Sequence, residues 1–158
     1  MIDCVEANCI LKEYLFLQQT IEDFNKQVIE FKSWSVTFGI AALIAAYTKP
    51  VSSAGRVGVA VAGLSAIPFW LTESFWKLSQ HLHGERTKDI EKCLSDGCTD
   101  LKPLQIYTSW FETLGGFWTG VGHWLGVAFQ PNVITPYVFL LATGLVLAWR
   151  FPPPASTE

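Results

Sequence analysis

Charge is what this sequence most lacks. Only 16% of its 158 residues are Asp, Glu, Lys or Arg, against about 25% in a typical soluble domain. The shortage is uneven. None of the four occurs from Thr113 to Trp149, and residues 33–48 are likewise uncharged. Most charges crowd into two stretches, roughly Asp3–Lys32 and Lys77–Lys102. A bilayer imposes such clustering, because each charge at its centre costs about 2.5–3.5 kcal/mol on insertion scales. No basic run or arginine-rich face is present, which argues against nucleic acid as a partner. Nucleophile elbow, phosphate-binding loop and zinc-protease helix are also absent. The expectation is therefore a protein that is not an enzyme and carries no cofactor or metal. The first apolar run begins only near Trp34, behind a charged amphipathic segment, so it does not read as a cleavable signal peptide.

What is there is half hydrophobic and 14% aromatic. Ile10, Tyr14, Leu17, Ile21, Phe24, Val28 and Phe31 recur in alternating steps of four and three. That is the spacing of a heptad seam on a helix. Two readings follow: an amphipathic helix packed on its own protein, or a seam for self-association or a partner. The phase continues through Ser35, Phe38, Ala42 and Ala45, so one helix is expected to run from the cytosol into the bilayer. Lys32 and Lys49 bracket this first span and can snorkel, and Trp34 and Tyr47 stand at its two ends as interfacial aromatics do. Pro50 and Gly55 mark a turn. A second apolar helix then runs to about Trp76, with small residues at Gly58, Ala62 and Ala66 that allow close helix packing in lipid.

Residues 77–110 read as a polar helix and connector. The apolar remainder is split by Gln130-Pro131-Asn132. Its second part, Val133–Trp149, reads as a span ending at Arg150. In its first part, Thr113–Phe129, an aromatic ridge of Trp110, Phe117 and Trp124 lies beside a glycine face of Gly115, Gly122 and Gly126. That pattern suits a tightly packed span or a helix lying in the interface, and the span is preferred. The expected fold is all-α and polytopic, with four, alternatively three, transmembrane helices plus a cytosolic amphipathic helix pair. The expected divisions are 1–32 (cytosolic heptad helix), 33–76 (first hairpin), 77–110, 111–150 (second apolar hairpin) and 151–158 (disordered tail). Lys and Arg placement puts the N-terminus and the central segment in the cytoplasm, and cytoplasmic cysteines would stay reduced. An inverted topology would instead allow them to form disulfides.

Glu73, in Phe69-Trp-Leu-Thr-Glu-Ser-Phe-Trp76, reads either as a carboxylate at membrane depth or as an interface marker one turn from Lys77. Glu112 has the same ambiguity, and the two could line a bundle or pore. His81, His83, Cys93 and Cys98 share one segment, but the cysteine spacing is wider than zinc sites use.

Several stretches together carry a family resemblance. They are Gln18-Gln-Thr-Ile-Glu22, Lys32-Ser-Trp-Ser-Val-Thr37, Ala66-Ile-Pro-Phe-Trp-Leu-Thr-Glu73, Phe75-Trp-Lys77, and Arg86 with Ile90-Glu91. Their layout resembles that of SLATT-type two-span domains, over roughly half the chain. The resemblance implies a bacterial inner-membrane protein and a role in antiviral defence or signalling. The function expected on these grounds is an oligomerising, pore-type or membrane-perturbing module. A membrane scaffold tethering a cytosolic partner is the alternative, and a proton-linked channel using Glu73 is a third.

Overall fold

The computed structural model describes residues 6–48, 55–96 and 101–153, and these form six α-helices and no strand. Helix α1 (Glu6–Thr48) is 43 residues long. At 1.5 Å per residue it reaches about 65 Å, twice the ~30 Å of a bilayer core. Much of it must therefore lie outside the membrane, as the shift from a charged to an uncharged half requires. Helices α2 (Gly55–Leu64) and α3 (Ala66–Asp96) are separated by Ser65 alone. Pro68 stands in the first turn of α3 and has no N–H to offer Leu64, so the ladder breaks there. Ser65 steadies the break with its backbone N–H on Val61 O (2.9 Å) and its hydroxyl on Ala62 O (2.7 Å). Helices α4 (Ile106–Leu114), α5 (Phe117–Ala128) and α6 (Pro131–Arg150) complete the order.

Three helices are long and apolar enough to cross a membrane: Asn8–Thr48, Val57–Asp96 with its kink, and Pro131–Arg150. Only 17%, 33% and 22% of their most apolar windows are buried within the chain. Such large exposed apolar surfaces require lipid or protein to cover them. The preferred fourth span, Thr113–Phe129, is corrected. Gly115 takes a left-handed φ of 69° that a side chain would resist, and its N–H caps α4 on Phe111 O at 3.0 Å. The glycine pair Gly115-Gly116 thus ends one helix before α5 begins. The 12 residues of α5 reach only about 18 Å, too short to cross. The expected turn at residues 49–54, Cys4, Gly97, Cys98 and the tail from Pro154 lie outside the described residues.

The chain divides into two compact units. Met1–Gln27 with Phe75–Gly126 form one, and Val28–Ser74 with Val127–Glu158 form the other. Long helices α1 and α3 supply residues to both. The first unit, called the cap below, has a core of Ile10, Leu17, Ile90 and Cys93, flanked by Tyr14, Leu101 and Ile106. Leu17 and Ile90 are fully buried, each contributing about 1.5–3 kcal/mol. The second unit, the bundle, centres on Ala66, Tyr137 and Leu140, with Val36, Phe69 and Trp70 packed against them. Helices α2 and α6 meet at two glycines. A Cβ placed on Gly144 would fall 2.6 Å from Gly63 Cα, so only backbone fits there.

Candidate functional site

The bundle buries a carboxylate. Glu73 is wholly inaccessible, and both of its oxygens are engaged by side chains from other helices. Tyr137 of α6 donates its hydroxyl to Oε2 at 2.6 Å. Lys32 of α1 places Nζ 3.0 Å from Oε1. That contact is ionic and off the line of a hydrogen bond, because the ammonium also donates to Asn132 O at 2.6 Å. The local sequence explains why that carbonyl is available. Asn132 O would ordinarily accept from residue 136, four positions on, and residue 136 is a proline without an N–H. Ser35, one turn beyond Lys32, is buried and turns its hydroxyl to Lys32 O at 3.0 Å. Glu73, Lys32, Tyr137 and the Asn132 carbonyl therefore form one node joining α1, α3 and α6. Trp70 adds a tie nearby, donating Nε1 to Ala128 O at 2.9 Å.

The cap holds a second node. Arg86 of α3 donates Nε to Glu13 Oε1 of α1 at 2.8 Å and Nη2 to Lys102 O at 2.8 Å. The other oxygen of Glu13 accepts the Leu104 N–H at 2.6 Å. Glu13 and Arg86 are both buried, and both carboxylate oxygens and two of the guanidinium nitrogens have named partners, as a desolvated ion pair needs. The node also clamps the connector after α3, where Leu104 sits at φ 64°. On the surface of the cap, a hydrogen bond from Lys88 holds the Glu85 carboxyl below its ordinary range.

Many of the expected site residues pack within the chain. The seam is occupied by the chain itself. Ile10, Leu17 and Val28 are buried and Tyr14, Ile21, Phe24 and Phe31 half-buried. In the cap, Ile10, Tyr14 and Leu17 pack with Ile90 and Cys93, and Phe24 meets Trp76 edge-on at 5.4 Å. In the bundle, Phe31 meets Phe69 at 6.5 Å. Glu73 is buried and paired within the bundle. Glu112 is exposed on α4, in the cap. Of the expected packing residues, Ala62 and Ala66 are buried, and Gly115 serves as the α4 cap. Gly58, Gly122 and Gly126 have nothing within 4 Å of where a Cβ would stand, so the close contact belongs to Gly63 and Gly144 instead.

The expectation of reduced thiols is also corrected. Cys9 and Cys93 are both disulfide-bonded, which removes Cys93 from any zinc site. Sequence reasoning passed over Lys32, Tyr137, Pro136, Glu13 and Arg86 as functional positions. The signal for the bundle node was a lysine, a glutamate and a proline each close to the end of an apolar stretch. Comparison of the chain with family models, curated proteins and solved structures gives no match.

Proposed function

We propose that the chain is a non-enzymatic integral membrane module that anchors a helical cap to the bilayer and offers it to a protein partner. The observation that carries this reading is the pairing of Glu73. Its two oxygens face Lys32 and Tyr137 of the same chain, a pairing that favours a tie between helices over an ion path. The outward faces of the spans, with Phe38, Ile44, Val61, Phe139 and Val146 exposed, suit lipid. Exposed Tyr107, Phe117 and Trp118 on the two short helices suit the headgroup layer, where aromatic rings concentrate. On the cap, Leu11, Leu15 and Phe16 are exposed on α1, although its seam is already filled. That patch is the surface we assign to a partner. The SLATT-like layout supports a bacterial inner membrane as the setting.

The test pairs two measurements on the full chain. Reconstituted into liposomes under a potassium gradient, it should leave ion permeability at the level of empty vesicles. A photo-crosslinker at Phe16 in cell membranes should give an adduct with a different polypeptide. A leak above background, together with an adduct of two copies of the chain, would overturn the anchor reading in favour of an oligomeric pore of the defence type.

A further inference from the structure

The cap holds Cys9 and Cys93 oxidised. Cys9 on α1 and Cys93 on α3 are each in a disulfide, and there is no free cysteine among the described residues. Neither is a surface accident. Cys9 is 1% and Cys93 8% exposed, and Cys93 belongs to the cap core beside Ile10, Leu17 and Ile90. A disulfide in such a position is part of the fold. In the cytosol, glutathione and thioredoxin keep such bonds reduced, whereas they persist in the periplasm and outside the cell.

We propose that the cap lies on the oxidising, extracytoplasmic face of the membrane, which reverses the orientation read from basic residues alone. The inference rests on the membrane-spanning reading. With three crossings, residues before the first span and between the second and third share one face. The turn between the first two spans and the end of α6 share the other. A plain count of Lys and Arg favours a cytoplasmic cap, because Lys49, Arg56 and Arg150 alone lie on the opposite face. Two of the basic residues on the cap side, Lys32 and Arg86, are held in ion pairs with Glu73 and Glu13. The opposite face is small, and its acidic residue is Glu158, well past Arg150. Lys49, Arg56 and Arg150 thus flank the spans directly, where basic residues hold a segment in the cytoplasm. The charge bias is a preference exerted at insertion. Reduction of a cytosolic disulfide is continuous chemistry, and the oxidised cap core decides between them. The partner met by Leu11, Leu15 and Phe16 is then an extracytoplasmic protein.

The test uses the full chain in cell membranes. Alkaline carbonate extraction comes first: release of the chain overturns the spanning reading and this inference with it, while retention leaves orientation to two further readouts. Fused after Glu158, a fluorescent protein that matures only in the cytoplasm should fluoresce, and alkaline phosphatase, active only outside, should be silent. In spheroplasts, an impermeant polymer-linked maleimide should shift the chain on a gel only after an impermeant phosphine reductant is added. The fusions are repeated on Cys9→Ser/Cys93→Ser, so that orientation stays readable if the cap loses its fold. An active phosphatase fusion on the native chain, or thiols that label without reductant and only after permeabilisation, overturns the proposal.

Discussion

The cap and the bundle each bury one ion pair, and the two pairs solve the same problem in different solvents. Glu13 with Arg86, and Glu73 with Lys32, both join α1 to α3. Both carboxylates are fully enclosed, and both cations borrow a backbone carbonyl, Lys102 O for Arg86 and Asn132 O for Lys32. The cap uses arginine, whose planar fork satisfies a carboxylate and a carbonyl together. Its pair sits on an apolar core that water drives together. The bundle has no such drive, because lipid tails are as apolar as its side chains. Its cohesion comes from close packing and from hydrogen bonds between helices. The Glu73 node should therefore matter more to the bundle than the Glu13 node does to the cap.

Removing the Glu73 carboxylate gives the sharpest test. Glu73→Ala leaves the Lys32 ammonium without its counterion and frees the Tyr137 hydroxyl. Breaking a buried pair in this way costs about 3–5 kcal/mol, read as a lowered thermal midpoint in detergent and a smaller amount of chain in the membrane. The double variant Lys32→Leu/Glu73→Leu should recover most of that loss, since replacing both charges with apolar groups is often neutral. A double variant as unstable as the single one would mean that the carboxylate acts through Tyr137 alone.

The matching change in the cap is expected to be milder. Glu13→Ala leaves Arg86 its bond to Lys102 O, so the loss should be about 2–3 kcal/mol. It should appear in urea unfolding followed by cap fluorescence, with the bundle unaffected. Equal losses from Glu73→Ala and Glu13→Ala would erase the difference drawn here between the two solvents.

The cap was the more legible of the two in the sequence. The four-three spacing from Ile10 to Phe31 depends only on helical periodicity, and it marks the buried face of α1. Glu73 also stood out, because a carboxylate beside an uncharged run is conspicuous. Its partners did not. Lys32 reads as a flank and Tyr137 as one more aromatic in a span, and only the crossing of α1, α3 and α6 brings them together. The small-residue stripe at Gly58, Ala62 and Ala66 caught two of the buried positions and missed Gly63, one residue out of phase. Gly115 looked like part of a packing groove because a stripe of glycines and a helix break have the same composition. What separates them is the left-handed φ at Gly115. The redox state of Cys9 and Cys93 could not be read from spacing, since it depends on which side of the membrane the cap occupies.

The glycine contact sharpens the comparison at a smaller scale. A methyl group on Gly144 meets Gly63 backbone at 2.6 Å, and backbone cannot step aside as a side-chain tip can. Gly144→Ala should destabilise the bundle by about 1–3 kcal/mol through overpacking. Gly122→Ala in α5 adds its methyl to open space and should gain up to about 1 kcal/mol from helix propensity. Opposite signs in the thermal midpoints of these two variants would separate glycines that pack from glycines that only resemble a packing face.

Both nodes take their backbone partner from beside a proline. Lys102 precedes Pro103, which disfavours helical backbone at Lys102 and leaves its carbonyl to Arg86. Pro136 cannot donate to Asn132 O, which leaves that carbonyl to Lys32. Pro136→Ala tests whether the proline is the cause. The new N–H lies where it can reclaim Asn132 O, so α6 itself should become more regular. Lys32 would then have Glu73 as its only strong acceptor. The coupling energy between Lys32 and Glu73, measured by a double-mutant cycle, should therefore rise by about 0.5–1.5 kcal/mol, the net worth of one hydrogen bond. An unchanged coupling would show that Lys32 holds Asn132 O whether or not a helix donor competes for it. The bundle node would then owe its geometry to the crossing of the three helices, and the parallel with the cap would end at the pairing of charges.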